Sequence, residues 1–480
     1  MNVPGIAKYI PAVEQPTYKQ PFNTRIKWTG IALLLYFILS SVTIYAIETT
    51  SSEQFRFYEV VLGSKFGSLM TLGIGPIVTA GILLQLLVGS KIINWDTTKE
   101  EDRKKFQSWN KIFAVALCFI EAVIFIFTGA TPVSTAGMGL AVNIVIVILQ
   151  LAAGGIITIL LDELVSKWGF GSGISLFIAA GVISQILVRM FSPFTTACVP
   201  GDWGSCLPIA GNTPTGLFWI FLSSVFAANT YQAIVSIAPI IATAAVFALV
   251  VYAQDISVDI PLSFAALRGF GRSWSLKLFY TSNIPVILTA ALIANMQLFG
   301  RIGAVAMTEG PVAGGMCGMI GCFDAQGNAV SGIIYYLTAP KNLVINLLTA
   351  TVSIAEIARA LTYTAVMAVL AMVFSMFWVS TSGMDAASVA EQIDSIGMQI
   401  PGYRKDKRIM ESVLNRYIPA LAVVGGLCIG LLAAFADFTG AIGTGTGMLL
   451  TVMIVYNYYE ELRGQKMEEA HPLIRRVFGE

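Results

Sequence analysis

FGSLMTLGIGPIVTAGILLQLLV, residues 66–88, carries no charge over a length that can cross a bilayer, and Gly73-Ile74-Gly75-Pro76 falls inside it. A proline costs roughly 3 kcal/mol in a helix interior and each glycine about 1, and the residue before proline is steered from helical angles. Lipid cannot satisfy backbone groups freed this way. Irregular backbone at membrane depth needs protein or a watery cavity around it. Gly73, Gly75 and Pro76 therefore predict a broken span beside a route through the membrane, against the plainer reading of an ordinary proline kink.

The rest of the chain is of the same kind. Of 480 residues, 56% are hydrophobic and 12% charged, which implies a polytopic membrane protein. A crossing needs about 20 apolar residues for roughly 30 Å of hydrocarbon. Ten stretches qualify: Trp28–Ala46, Ile74–Val88, Ile112–Thr128, Leu140–Leu161, Ile174–Met190, Ala233–Ala253, Ile284–Leu298, Leu361–Val379, Ile418–Phe435 and Ala441–Tyr456. The segment from Arg56 to Leu72 is too short and mixed to cross alone. Five spans lie on either side of a connecting segment at 192–232, so the halves 28–191 and 233–456 face opposite ways, as in an inverted repeat. The fold class predicted is all-α.

Ten crossings leave the tails 1–27 and 457–480 on one side. That side holds 23 of the 29 Lys and Arg residues, against six opposite, which places both termini in the cytoplasm. No charged leader with a cleavage site precedes Trp28, so the first span is expected to be retained. Two cytoplasmic loops stand out as basic, Val258–Lys277 with Arg268, and the tip 401–408 with Arg404. Basic membrane-proximal loops report topology or lipid contact, and their arginine forks also suit the phosphates of an RNA-rich partner. The segment Gly300–Asn342, glycine-rich over Gly310–Gly327, reads as an outer loop.

Catalysis finds little support. The single histidine, His471, lies in the C-terminal tail, and no phosphate-binding GxxxxGK[ST] loop occurs, so ATP-driven work would need a partner. Cys198, Cys206, Cys317 and Cys322 fall on outer segments as candidates for two local disulfides, with free thiols the competing reading. A four-cysteine zinc site fails for want of CxxC spacing. No metal or cofactor is expected.

Glu121 lies ten residues beyond Lys111, about 15 Å into the membrane at 1.5 Å per residue. A carboxyl group at that depth costs roughly 2.5 kcal/mol or more and implies an interior partner. Thr79 and Asn295, at similar depth, are neutral candidates. A coupling acid in a secondary transporter is the other use of such a residue, although no second acid or histidine stands near to relay a proton. Ile74 with Val78, and Ile174 with Ile178, are four apart and so share helix faces, as packing residues, lipid-facing residues or an apolar constriction would.

TLGIGPIVTAGILLQLL (71–87), DELVSKWGFGSGISLFIAAG (162–181), KLFYTSNIPVILTAAL (277–292) and TGTGMLLTVMIVY (444–456) together resemble the SecY family of protein-conducting channels, with GIGPIVTAG more like archaeal members than bacterial ones. The resemblance spans nearly the whole chain. It implies two five-span halves around an hourglass pore, a ring at Ile74, Val78, Ile174, Ile178, Ile287 and Leu450, and a plug over about 55–72. It further implies a lateral gate between spans 2 and 3 and spans 7 and 8, with Thr79, Glu121 and Asn295 as its polar cluster. Arg268 and Arg404 would face the ribosome, although Ala266 and the apolar stretch 262–267 depart from the family pattern there. The partners implied are a SecE-type (gamma) subunit, a small single-span beta subunit, the ribosome, signal sequences and nascent polypeptides, and the lipid bilayer. The location implied is the plasma membrane. An inverted-repeat transporter coupled through Glu121, and an insertase without an aqueous pore, are the alternatives.

Overall fold

The computed structural model describes residues 11–18, 20–47, 65, 67–90, 92–95, 99–127, 131–134, 139–195, 214–264, 271–300, 305–306, 315–318, 320–324, 329–340, 343–348, 352–395, 398–399 and 407–470. The chain is mostly helical. Among the described residues six helices are long and apolar enough to cross a membrane: α3 (Glu100–Phe127), α4 (Leu140–Trp168), α5 (Gly173–Phe191), α7 (Thr230–Gln254), α11 (Ile354–Thr381) and α13 (Lys407–Phe438). Shorter apolar helices are α2 (Gly75–Gly89), α6 (Leu217–Phe226) and α8 (Ile284–Phe299), and α1 (Phe22–Ser41) and α14 (Gly445–Ala470) begin and close the described helices. Large apolar side chains such as Ile234, Ile241 and Phe247 on α7 stand exposed. Water would oppose such a surface, whereas lipid matches it.

The stretch at residues 66–88 differs from the expected broken span. Gly73 takes φ +52°, a left-handed conformation that a side chain resists, and helix α2 starts at Gly75 with Ile74 as its N-cap. Pro76 therefore sits in the first turn, where its missing amide has no helical partner to lose. The amides of Ile77 and Val78 donate to Ile74 O at 3.1 Å each. The break is a helix start. Residues 67–74 before it are turns and bends apart from Ser68, which bridges to Thr43, and Gly154 of α4 packs so close that a Cβ there would lie 1.8 Å from Leu69 O.

Other boundaries move too. The first helix ends at Ser41 instead of running to Ala46, since Thr43 and Ile47 form bridges to Ser68 and Val133. The last helix begins at Gly445 and continues to Ala470, well into the stretch read as a tail. The connecting segment 192–232 contains α6, which packs on α7. At ten residues it is too short to register as a crossing.

All-α is also too simple. Strands β1 (Ser257–Phe264), β2 (Gly271–Lys277) and a short β7 (Met398–Gln399) form one sheet in the order β2-β1-β7. Part of the stretch read as an outer loop is a second sheet, β3 (Val305–Ala306), β4 (Met316–Cys317), β5 (Gly321–Phe323) and β6 (Ala329–Gly332), in sequential order and leading into the short helix α9 (Ile333–Tyr336). A six-residue helix α10 (Leu343–Leu348) follows, and helix α12 (Ala386–Ser395) lies between α11 and β7.

One contiguous apolar cluster runs through α1–α5, α7, α8, α11, α13 and α14. Within it α2 packs against α3, α8 and α11, and α14 packs against α5, α7, α8 and α13. A smaller cluster joins Ile260 and Leu276 of the hairpin to α12 and the start of α13.

Candidate functional site

The polar residues foreseen at mid-depth meet in one chain of hydrogen bonds. Thr79 Oγ1 on α2 donates to Glu121 Oε1 on α3 at 2.9 Å and accepts from Asn295 Nδ2 on α8 at 3.0 Å. Glu121 is buried, and a single hydroxyl links three helices drawn from residues 216 apart in sequence. A hydroxyl can donate one bond and accept others, so threonine at this junction satisfies both neighbours at once.

The apolar ring candidates lie in the central cluster. Ile74 caps α2 and Val78 follows one turn on; Ile174 is the second residue of α5, after the cap Ser172, and Ile178 follows it one turn on; Ile287 is in the first turn of α8 and Leu450 in the second of α14. Ile74, Ile178 and Leu450 are fully buried, Val78 and Ile287 nearly so, and Ile174 packs at the edge. Both α2 and α8 open with proline as their second residue, Pro76 and Pro285, and each carries its candidate two residues later.

Helix starts set these positions. Asp162 accepts from Ile174 N at 2.9 Å and fixes the entry to α5. Asp437 accepts from Thr446 N at 2.7 Å, from the Thr446 hydroxyl and from Tyr363 Oη at 2.8 Å, tying α11, α13 and the entry to α14. The sequence reading passes over Asp437, whose one signal is a carboxylate two residues beyond the apolar run Ile418–Phe435. Tyr458 Oη reaches Ser172 O at 2.9 Å and Phe170 O at 3.2 Å, joining α14 to the corner between α4 and α5.

The two basic loops converge. Ser263 and Phe264 of β1 pair with Gln399 and Met398 of β7, so one sheet carries the segments leading to both arginines. Tyr280 Oη donates to Met384 O at 2.8 Å, and Lys277 pairs with Glu460. Arg268 and Arg404 themselves lie outside the described residues, as do Ala266, Cys198, Cys206 and most of 55–72. Cys317 and Cys322, cross-strand partners on β4 and β5, are joined by a disulfide; Cys118 and Cys428 are free. Among the described residues no group of three or more His, Cys, Asp or Glu could hold a metal ion.

Residues 68–459 match the family model for SecY. The chain belongs to the SecY family. A relative from Pyrococcus furiosus, called protein translocase subunit SecY, is 41% identical over 99% of this chain and 98% of its own length. Among solved structures, one described as a protein-conducting channel superposes with a TM-score of 0.80 at 41% identity, covering 98% of both chains. Sec61 in a canine ribosome–channel complex from the endoplasmic reticulum gives 0.77 at 41% identity, again over 98% of each chain. As a SecY-family chain the molecule is a multi-pass membrane protein, and these likenesses lend no support to a small-solute transporter coupled through Glu121.

Proposed function

We propose that this chain is the central, pore-forming subunit of a protein translocase, a passive channel that moves unfolded chains across the membrane and releases apolar segments sideways into lipid. The observation that carries the reading is the chain Asn295–Thr79–Glu121, because it couples α8 to α2 and α3 through a contact that can be made and broken. A gate needs such a contact. Ten spans in two inverted halves surround the pore in this reading, and the matching starts of α2 and α8, each with its proline and its ring residue two further on, support that symmetry.

Ile74, Val78, Ile174, Ile178, Ile287 and Leu450 form the constriction. Branched aliphatic side chains offer no hydrogen bonds, so they are indifferent to the sequence passing through and close around it by dispersion contact. Empty, the ring holds back ions by excluding the water they need. Residues of the stretch 55–72 cover it as a plug.

Driving force comes from the translating ribosome, which docks on the sheet carrying the Arg268 and Arg404 loops. The distribution of Lys and Arg supports cytoplasmic termini, and the likeness to archaeal relatives supports a place in the plasma membrane. Signal sequences and nascent polypeptides pass through the gate and pore, and a SecE-type subunit and a small beta subunit complete the complex. Reconstituted with those subunits in vesicles and given ribosomes carrying a secretory chain, the protein should shield that chain from added protease. Full digestion would refute the proposal.

A further inference from the structure

Helix α8 is held from two sides. Asn295 reaches Thr79 across the proposed gate, while Gln297, two residues on and so about 200° around the helix, bonds in another direction. Gln297 Nε2 donates to Leu337 O at 3.1 Å and to Thr338 Oγ1 at 3.3 Å, just beyond α9. The next carbonyl, Thr338 O, accepts from Arg359 Nε on α11 at 2.7 Å, and the Arg359 guanidinium lies 4.4 Å from the centre of the Tyr335 ring. Consecutive carbonyls of one short segment are thus taken by side chains from two different helices.

The segment itself is firmly seated. Ile334, 1% exposed, packs against the end of α8 at Gly300, where a Cβ would lie 1.8 Å from Ile334 Cδ1. Behind it, Ile333 N donates to Ile320 O at 2.9 Å, and Gly332, at φ +88°, presses on Gly321 too closely to admit a side chain. The Cys317–Cys322 disulfide closes the adjoining strands.

We infer that residues 333–338 form a strap, with Gln297 and Arg359 as positioning residues, that reinforces the direct packing of α8 on α11 and keeps the two together while α2 parts from both. The inference rests on the gate reading above. Its physical basis is the inequality of the two attachments. Among the described residues one neutral hydrogen bond crosses from α8 to α2, whereas α8 leaves the strap only by stripping a buried amide of two acceptors, and α11 only by stripping a guanidinium of its carbonyl and its ring. Bonds to charged groups are the stronger kind, and buried donors left unpaired cost most. The weaker attachment yields first.

Spin-label distances in the complete membrane-embedded complex test this. Labels replace the exposed Leu83 on α2, Phe299 on α8 and Leu361 on α11, and ribosomes arrested with an apolar segment in the gate engage the channel. In the unaltered protein the Leu83–Phe299 distance should lengthen while Phe299–Leu361 stays narrow. In Gln297→Leu combined with Arg359→Gln, engagement should raise the population of parted α8 and α11 about tenfold, the equivalent of roughly 1.4 kcal/mol. Arg359→Lys with native Gln297, which keeps a charged donor, should restore the narrow distribution, as a general packing defect would not. Should the double variant fail to accumulate, Gln297→Met alone should broaden the same distance about threefold for a weaker, neutral bond. A Phe299–Leu361 distance that stays narrow in the strap variants while Leu83–Phe299 lengthens would overturn the strap. A Leu83–Phe299 distance unchanged in the unaltered protein would instead overturn the gate reading, and the strap with it.

Discussion

Thr79→Val isolates the gate contact with little change of shape. The lost hydroxyl accepts from Asn295 at 3.0 Å and donates to Glu121 at 2.9 Å, but the two bonds weigh differently on opening. Thr79 and Glu121 sit on α2 and α3, on the same side of the proposed gap, so their bond is lost equally from the closed and open states. Only the Asn295 bond crosses the gap. Interhelical hydrogen bonds in membranes are worth about 0.6 kcal/mol on average and about 1.7 at most. Losing one should raise the open population about 3- to 20-fold. A central leucine contributes about 0.3–0.6 kcal/mol to insertion, so the number of leucines needed for a test segment to enter lipid should fall by about one to six. The assay counts inserted against translocated chains for a graded leucine series. Thr281→Val is the control, because Thr281 and Ser375 pair at 3.0 Å between the start of α8 and α11, on one side of the gap. An unchanged threshold in Thr79→Val, or an equal shift in Thr281→Val, would refute the reasoning.

Three further outcomes are expected. Replacing Ile74 and Val78 together by glycine should raise ion conductance through the resting channel in planar bilayers, and an unaltered leak would remove them from the ring. Arg404→Glu should weaken ribosome binding at low salt and much less at 1 M, where the screening length falls to about 3 Å; equal affinity for both proteins at low salt would count against that docking site. Gly154→Ala drives a methyl group into Leu69 O and should cost at least about 1–3 kcal/mol, read as a lower thermal midpoint in detergent. An unshifted midpoint would show that residues 67–74 give way easily.

Hydropathy alone located the long helices, because a crossing leaves a run of apolar residues that nothing else in the chain imitates. Glu121 was legible for a related reason. A carboxyl group far from both ends of an apolar helix demands a partner, and depth from the charged ends pointed to Thr79 and Asn295 without any knowledge of packing. Pro76 reads two ways, since the same residue breaks a helix in its middle and suits its first turn; the span bound at Ile74 places it at a start, and the left-handed Gly73 ends the turns before it. Helix α6 escaped notice at ten residues. The sheet from Val305 to Gly332 escaped because strands of two to four residues among glycines leave no alternation to read. Gln297 and Arg359 stayed hidden for another reason: both bond to backbone carbonyls, and a carbonyl leaves no mark on the sequence.

The claim on which the rest depends is that chains pass through the cluster around Ile74 and Leu450. Photo-crosslinking residues placed at each of these positions, and at the exposed Leu83 and Val369 for comparison, would be irradiated with a hydrophilic chain arrested in mid-passage. Adducts at Ile74 and Leu450, with none at Leu83 or Val369, are the result expected. No adduct at either ring position would contradict the account.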